Sequence, residues 1–159
     1  MLANNTRIFS YAFDGYWKDV GTIESLWEAN MDLLSDKPSL DLGGAWRIYS
    51  SNPSLPPHFI GSHAKIKNSL ISGGAFVEGY VKNSVIFSGV RIGKGAKIIN
   101  SVIMPFTVIR ENAIVEKSIV APNCEIMSNS HVFSEDGSIA VIPEGEVVAP
   151  VDDANKQVG

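Results

Sequence analysis

Four short phrases set the rhythm of the chain: Asn68-Ser69-Leu70-Ile71, Asn83-Ser84-Val85-Ile86, Asn100-Ser101-Val102-Ile103 and the drifted copy Lys117-Ser118-Ile119-Val120. Their starts lie 15, 17 and 17 residues apart, too regular and too short for a repeat of helical pairs, so each phrase marks one turn of a stack. Between them run shorter units of aliphatic, glycine or polar, two variable positions and a small residue. The clearest are Ile92-Gly93-Lys94-Gly95-Ala96-Lys97-Ile98 and Ile109-Arg110-Glu111-Asn112-Ala113-Ile114-Val115. Strands this short cannot pair usefully in isolated hairpins. Coiled into a three-sided prism, with aliphatics such as Val102 turned inward, they pair with the coils about 4.8 Å above and below. Gly73, Gly74, Gly79, Gly89, Gly93, Gly95 and Asn112 supply corners where φ is positive.

Ahead of the repeats the pattern changes. Residues 8–13 alternate Ile8, Ser10 and Ala12 with Phe9, Tyr11 and Phe13, which predicts a strand buried on at least one face and closed by the turn Asp14-Gly15. Gly21 breaks the chain and Thr22 is a good N-cap, so a helix is expected next, with Ile23, Leu26, Trp27, Met31 and Leu34 on one stripe. Glu24 in its first turn complements the helix dipole. The helix should stop near residues 35–38. Residues 35–58, rich in Pro, Gly and Ser, read as a stiff linker that Trp46, Ile48 and Tyr49 pin to a surface.

After Ile126 the rhythm fails. Residues 139–142 and 147–149 then read as two strands about Pro143-Glu144-Gly145-Glu146, a hairpin that would cap the open end of the stack. The organisation expected is therefore residues 1–34 as a strand and helix, 35–58 as linker, 59–150 as β-helix with a hairpin cap, and 151–159 as a frayed tail.

Composition narrows the function classes. Apolar residues at 45% and charged residues at 19% make the chain globular, and a formal charge of -4 leaves no footprint for nucleic acid. Cys124 stands alone, which excludes an internal disulfide and fits a small buried hydrophobe within the stack. With neither a leader pattern nor an apolar run of membrane length, a cytoplasmic setting is expected, without membrane contact.

For chemistry, His58 falls in the linker and His131 past the last expected coil, and neither they nor His63 have a carboxylate or cysteine at metal-ligand spacing. No nucleophile elbow, P-loop or dinucleotide fingerprint occurs. Trp17-Lys18-Asp19 sits between the expected strand and the capped helix, where ligands of α/β sheets bind. A carboxylate beside an aromatic there suits Mg²⁺ on a phosphate, although on the residues alone a merely solvated aspartate is the favoured reading.

The hexapeptide rhythm resembles that of left-handed β-helices, and the hand of the coil is expected from that resemblance. Gly15-Tyr16-Trp17-Lys18-Asp19-Val20-Gly21-Thr22 with the helix through Leu34, Trp46-Arg47-Ile48-Tyr49, Pro56-Pro57, the four phrases and residues 139–148 closely resemble the C-terminal portion of bacterial glucose-1-phosphate adenylyltransferases, the ADP-glucose pyrophosphorylases. The resemblance implies a mainly β fold: a left-handed parallel β-helix preceded by a strand-helix remnant of an α/β nucleotidyltransferase domain.

The implied family reaction joins glucose 1-phosphate to the adenylyl group of ATP and releases pyrophosphate, on the way to glycogen. It proceeds by in-line attack with Mg²⁺ and basic groups holding the triphosphate. The resemblance gives Asp19 as a metal ligand and Trp17 as the aromatic beside the sugar. The family's Gly-rich loop, second metal-binding aspartate and sugar-phosphate lysine have no counterpart here. The expectation is a truncated, split or fragment chain, inactive alone, that serves as an oligomerisation or regulatory module. It would self-associate or join full-length subunits, with ATP and glucose 1-phosphate bound only by the complete enzyme. The alternatives are a regulatory partner of a complete catalytic subunit and a hexapeptide-repeat acyltransferase, which would call for a catalytic histidine on a coil.

Overall fold

The computed structural model describes residues 9–40, 42, 43, 49 and 53–150. Among the described residues, sixteen two- or three-residue strands wind into a parallel β-helix with three faces. The first sheet runs β1-β4-β7-β10-β13-β16, the second β14-β11-β8-β5-β2 and the third β15-β12-β9-β6-β3. Thus β1 (Phe59–Ile60), β2 (Lys65–Lys67) and β3 (Leu70–Ile71) form the first coil, and β4 (Phe76–Val77), β5 (Tyr80–Lys82) and β6 (Val85–Ile86) the second. The third is β7 (Arg91–Ile92), β8 (Lys97–Ile99) and β9 (Val102–Ile103), and the fourth β10 (Val108–Ile109), β11 (Ile114–Glu116) and β12 (Ser118–Val120).

The repeated phrase explains itself in three dimensions. Its first residue turns the corner at positive φ, at Asn68 (45°), Asn83 (46°), Asn100 (50°) and Lys117 (43°). The asparagine amides form a ladder, Asn68 Nδ2 donating to Asn83 Oδ1 at 3.1 Å and Asn83 Nδ2 to Asn100 Oδ1 at 3.2 Å. The serines form a second, buried ladder. Ser101 Oγ donates to the Ile99 carbonyl at 2.7 Å and accepts the Ser118 N–H at 3.2 Å, and Ser84 repeats the pattern one coil earlier. Buried hydroxyls need both functions filled, and the stack fills them.

Inside the prism, Val77, Ile92, Ile109 and Ile126 from the first sheet meet Val81, Ile98 and Val115 from the second and Ile86, Ile103 and Val120 from the third. In the last pair of each phrase only the second residue, such as Ile103, points into this core. Val85, Val102 and Ile119 occupy the opposite face of the third sheet and are nevertheless buried. That face is the one that α1 (Ile23–Asp32) packs against, through a groove lined by Leu33, Leu70, Val85 and Phe87. The expectation that Val102 enters the stack is corrected accordingly.

Helix α1 begins as the sequence predicts. Thr22 Oγ1 accepts the Ser25 N–H at 3.1 Å and Ser25 Oγ accepts the Thr22 N–H at 3.1 Å, a reciprocal capping box. It ends at Asp32, with Leu33 as C-cap, earlier than expected. Residues 9–13 form no strand, and Phe9, Tyr11 and Phe13 are 84%, 89% and 63% exposed. An extended segment needs a neighbour for its backbone ladder and a surface for its apolar side, and none of the described residues offers either. Ile8 lies outside the described residues.

The expected cap is also corrected. β15 (Ala140–Ile142) pairs in parallel with β12, and β16 (Val147–Val148) in parallel with β13 (Glu125–Ile126), so the two continue the coil and form no hairpin. Gly145, at φ 73°, turns the corner between them. β14 (His131–Val132) extends the second sheet beside β11, so the rhythm persists past Ile126 and His131 lies on a coil. Of the linker, Leu55 covers Gly74, and the Pro56 carbonyl accepts the Gly74 N–H at 2.7 Å. Tyr49 is exposed, while Trp46 and Ile48, like residues 151–159, lie outside the described residues.

Candidate functional site

The segment between Gly15 and Thr22 is held to α1 by alternate side chains. Tyr16 donates its hydroxyl to Asp32 Oδ2 at 3.0 Å, and Lys18 Nζ donates to the same oxygen at 2.9 Å. Lys18 also pairs with Glu28 at 3.2 Å. Glu28 and Asp32 stand one helical turn apart, so both carboxylates fall within reach of one ammonium group. The hydrogen bond from Lys18, reinforced by that from Tyr16, holds the Asp32 carboxyl below its ordinary value. The bond to Asp32 raises Lys18, and partial burial followed by the Asp32 bond raises the Tyr16 phenol.

Trp17 and Asp19, the two residues that the sequence marks for chemistry, interleave with this clamp. Trp17 is 76% exposed and Asp19 is exposed. The clamp therefore fixes the backbone of the motif while leaving the marked pair free toward solvent. Sequence reading missed the clamp residues themselves. Their signal was the alternation Tyr16, Lys18 opposite an i, i+4 pair of acids.

Among the described residues no group of three or more His, Cys, Asp or Glu side chains comes together as a metal site. Asp19 is one carboxylate, whereas Mg²⁺ needs an octahedral shell of oxygens. The residues present do not hold that ion by themselves. His58 and His63 are exposed. His131 Nε2 lies 3.1 Å from Glu116 Oε2, and its ring packs on Phe133 with centroids 4.3 Å apart. Cys124 is 1% exposed, an inward residue of the stack as expected.

The repeats and corners described above match, over residues 56–137, the family described as GlmU-like, C-terminal hexapeptide. The chain belongs to that family. This GlmU-like hexapeptide chain carries, ahead of its coils, a match to the Nucleotidyl transferase family over residues 1–36. It is 46% identical over 148 residues to the glucose-1-phosphate adenylyltransferase of Bacillus cytotoxicus, covering 91% of this chain and 39% of that protein. It is 47% identical to the glucose-1-phosphate adenylyltransferases of Bacillus mycoides and Bacillus anthracis, covering 92% of this chain and 37% of each relative. The GlmU-like hexapeptide chain thus spans well under half the length of these relatives and corresponds to their C-terminal part. The resemblance carried by the Tyr16–Thr22 motif and the four phrases is borne out, as is the parallel β-helix of hexapeptide repeats. No helix among the described residues is long and apolar enough to cross a membrane.

Proposed function

We propose that this chain is the C-terminal part of a glucose-1-phosphate adenylyltransferase, in which the β-helix serves as scaffold and assembly surface for the catalytic domain. The observation that carries the reading is the continuity of the likeness. The relatives align across both the segment that matches a nucleotidyltransferase and the coils that follow it.

On this reading residues 1–34 belong to the nucleotidyltransferase domain, 35–58 link it to the coils, and 59–150 form the β-helix. Asp19 supplies one carboxylate ligand to Mg²⁺ and Trp17 lies beside the sugar once the remainder of that domain surrounds them. The Tyr16 and Lys18 clamp on Asp32 supports this assignment, because it holds the Asp19 backbone without consuming its carboxylate. ATP and glucose 1-phosphate are substrates of the complete enzyme, which is cytoplasmic, and the chain joins copies of itself or full-length subunits.

An assay of pyrophosphate release from ATP and glucose 1-phosphate tests the reading. The 159-residue chain alone should give no turnover. Robust turnover by it would overturn the scaffold role. His131 on its coil, oriented by Glu116, is the feature an acyltransferase would use. The curated relatives named above are adenylyltransferases, which weighs against that activity.

A further inference from the structure

The outer face of the first sheet carries two rows of side chains. Through the ladder β1-β4-β7-β10-β13-β16 the first row reads Phe59, Phe76, Arg91, Val108, Glu125, Val147. Two residues further along each strand, and aligned by the continuing backbone bonds, the second row reads Gly61, Glu78, Gly93, Arg110, Met127, Ala149. Counted outward from β10, the first row is self-complementary. Arg91 lies one strand to one side of Val108 and Glu125 one strand to the other, and the next positions, Phe76 and Val147, are both apolar. In the second row Gly93, against the backbone of Arg110 and Glu111, and Met127, which is 38% exposed, lie one strand to either side of Arg110. A groove of about 210 Å³ runs along Phe76, Arg91, Gly93, Val108 and Arg110.

Charge follows the same division along the whole coil. Residues 53–110 contain seven Lys or Arg and one carboxylate, Glu78, whereas residues 111–150 contain seven carboxylates and one cation, Lys117. Two coils lying side by side attract when their axes are opposed and repel when their axes run the same way. Arg91 makes no ion pair among the described residues, while Arg110 is already neutralised by Glu125, at 2.8 Å from Nε and 2.6 Å from Nη2.

We propose that this face binds a second copy of the chain about a twofold axis running along β10, with the two coil axes opposed. This names the surface for the self-association put forward above and rests on it. Rotation about the strand direction keeps positions along each strand and reverses the order of strands. Arg91 then meets Glu125 of the second copy, Val108 meets Val108, Phe76 meets Val147, Met127 faces Gly93, and Arg110, held by its own Glu125, faces Arg110. Each Glu125 then stands between Arg110 of its own chain and Arg91 of the other, which places a carboxylate beside every guanidinium and leaves this set with one positive charge in excess per chain. The contact is isologous and closed, which limits assembly at this face to a pair.

Sedimentation equilibrium of the full chain over a range of concentrations tests the surface with two charge reversals. Arg91→Glu sets Glu against Glu125, and Glu125→Arg sets Arg against Arg91. Each variant alone should dimerise at least about tenfold more weakly than the parent chain, as close like-charge pairs demand. An equimolar mixture of the two variants restores opposite charges at both contacts and should recover parental affinity. Because Glu125→Arg also removes the partner of Arg110, Val108→Arg provides an independent block at the axis, with circular dichroism reporting the fold of every variant. Unchanged association of folded variants overturns this surface while leaving self-association in place. A parent chain that stays monomeric, or that pairs only with a full-length nucleotidyltransferase subunit, overturns both.

Discussion

The indole Nε1 of Trp27 donates a hydrogen bond of 2.8 Å to the backbone carbonyl of Asn100. Helix α1 is thereby tied to the corner ladder of the coils, 73 residues away in sequence. The stripe of Ile23, Leu26, Trp27, Met31 and Leu34 that the sequence leaves without a partner finds part of one on the third sheet. Trp27, Met31 and Leu34 share a groove with Asn68, Asn83 and Asn100.

Trp27→Phe keeps an aromatic side chain, smaller than the indole, and deletes the donor. It should cost about 0.5–1.5 kcal/mol and speed amide exchange in α1 while leaving exchange in the coils unchanged. Hydrogen exchange read residue by residue checks this, and uniform loosening of coils and helix together would refute the local role of the bond.

Val102 and Ile103 are neighbours in sequence, both 0% exposed, yet they face opposite ways. Ile103→Asp places a carboxylate in the stacked core and should abolish the cooperative β transition, since a buried unpaired charge costs several kcal/mol on top of about 1.5–3 kcal/mol of lost apolar burial. Val102→Asp should instead release α1 from a coil that remains folded, seen as loss of helical signal with retained β signal in circular dichroism. Equal unfolding by both substitutions would contradict this division of the third sheet.

Ser101→Ala removes an acceptor from the Ser118 N–H and a donor from the Ile99 carbonyl, both in a dry stack. The expected loss is about 1–3 kcal/mol in denaturant unfolding. Ser69→Ala, at the exposed first coil, should cost less, and the ordering of the two is the measurable outcome.

The clamp has a pH window with a definite sign. Asp32 titrates below its ordinary 3.8, so its contribution is present above that pH and is lost as pH falls through the lowered value. Lys18 titrates above its ordinary 10.5, so its contribution is present below that pH and is lost as pH rises through the raised value. Asp136, held at about 2 by the hydroxyls of Ser134 and Ser138, stabilises its turn in the same sense as Asp32, with loss between 3.8 and about 2. Carboxyl carbon NMR titration reads each group separately, and an Asp32 that titrates at or above 3.8 would remove the clamp.

The charge-bearing residues were unevenly legible. Trp17 and Asp19 stand out because an aromatic and an acid precede a capped helix, and because the surrounding motif resembles one in a known family. Tyr16, Lys18, Glu28 and Asp32 do not stand out, since each is an ordinary surface residue until the extended segment lies along α1. His131 was assigned to the wrong environment because the longer connection after β14 hides the coil to which it belongs.

By itself the sequence determined the coil. The 15- and 17-residue spacing, corner residues that tolerate positive φ, and serine followed by two aliphatics admit a stacked parallel helix and little else, and Thr22 placed the start of α1. Only the tertiary structure decided which aliphatic of each pair enters the core, because alternation separates two faces without naming the inner one, and here Val85, Val102 and Ile119 on the outer face are buried as well. It also decided the fate of residues 139–149. Two short strands about a Pro-Gly turn read alike as a hairpin or as a coil corner, and the choice fell to β12 and β13, whose open edges stood ready to accept them in parallel.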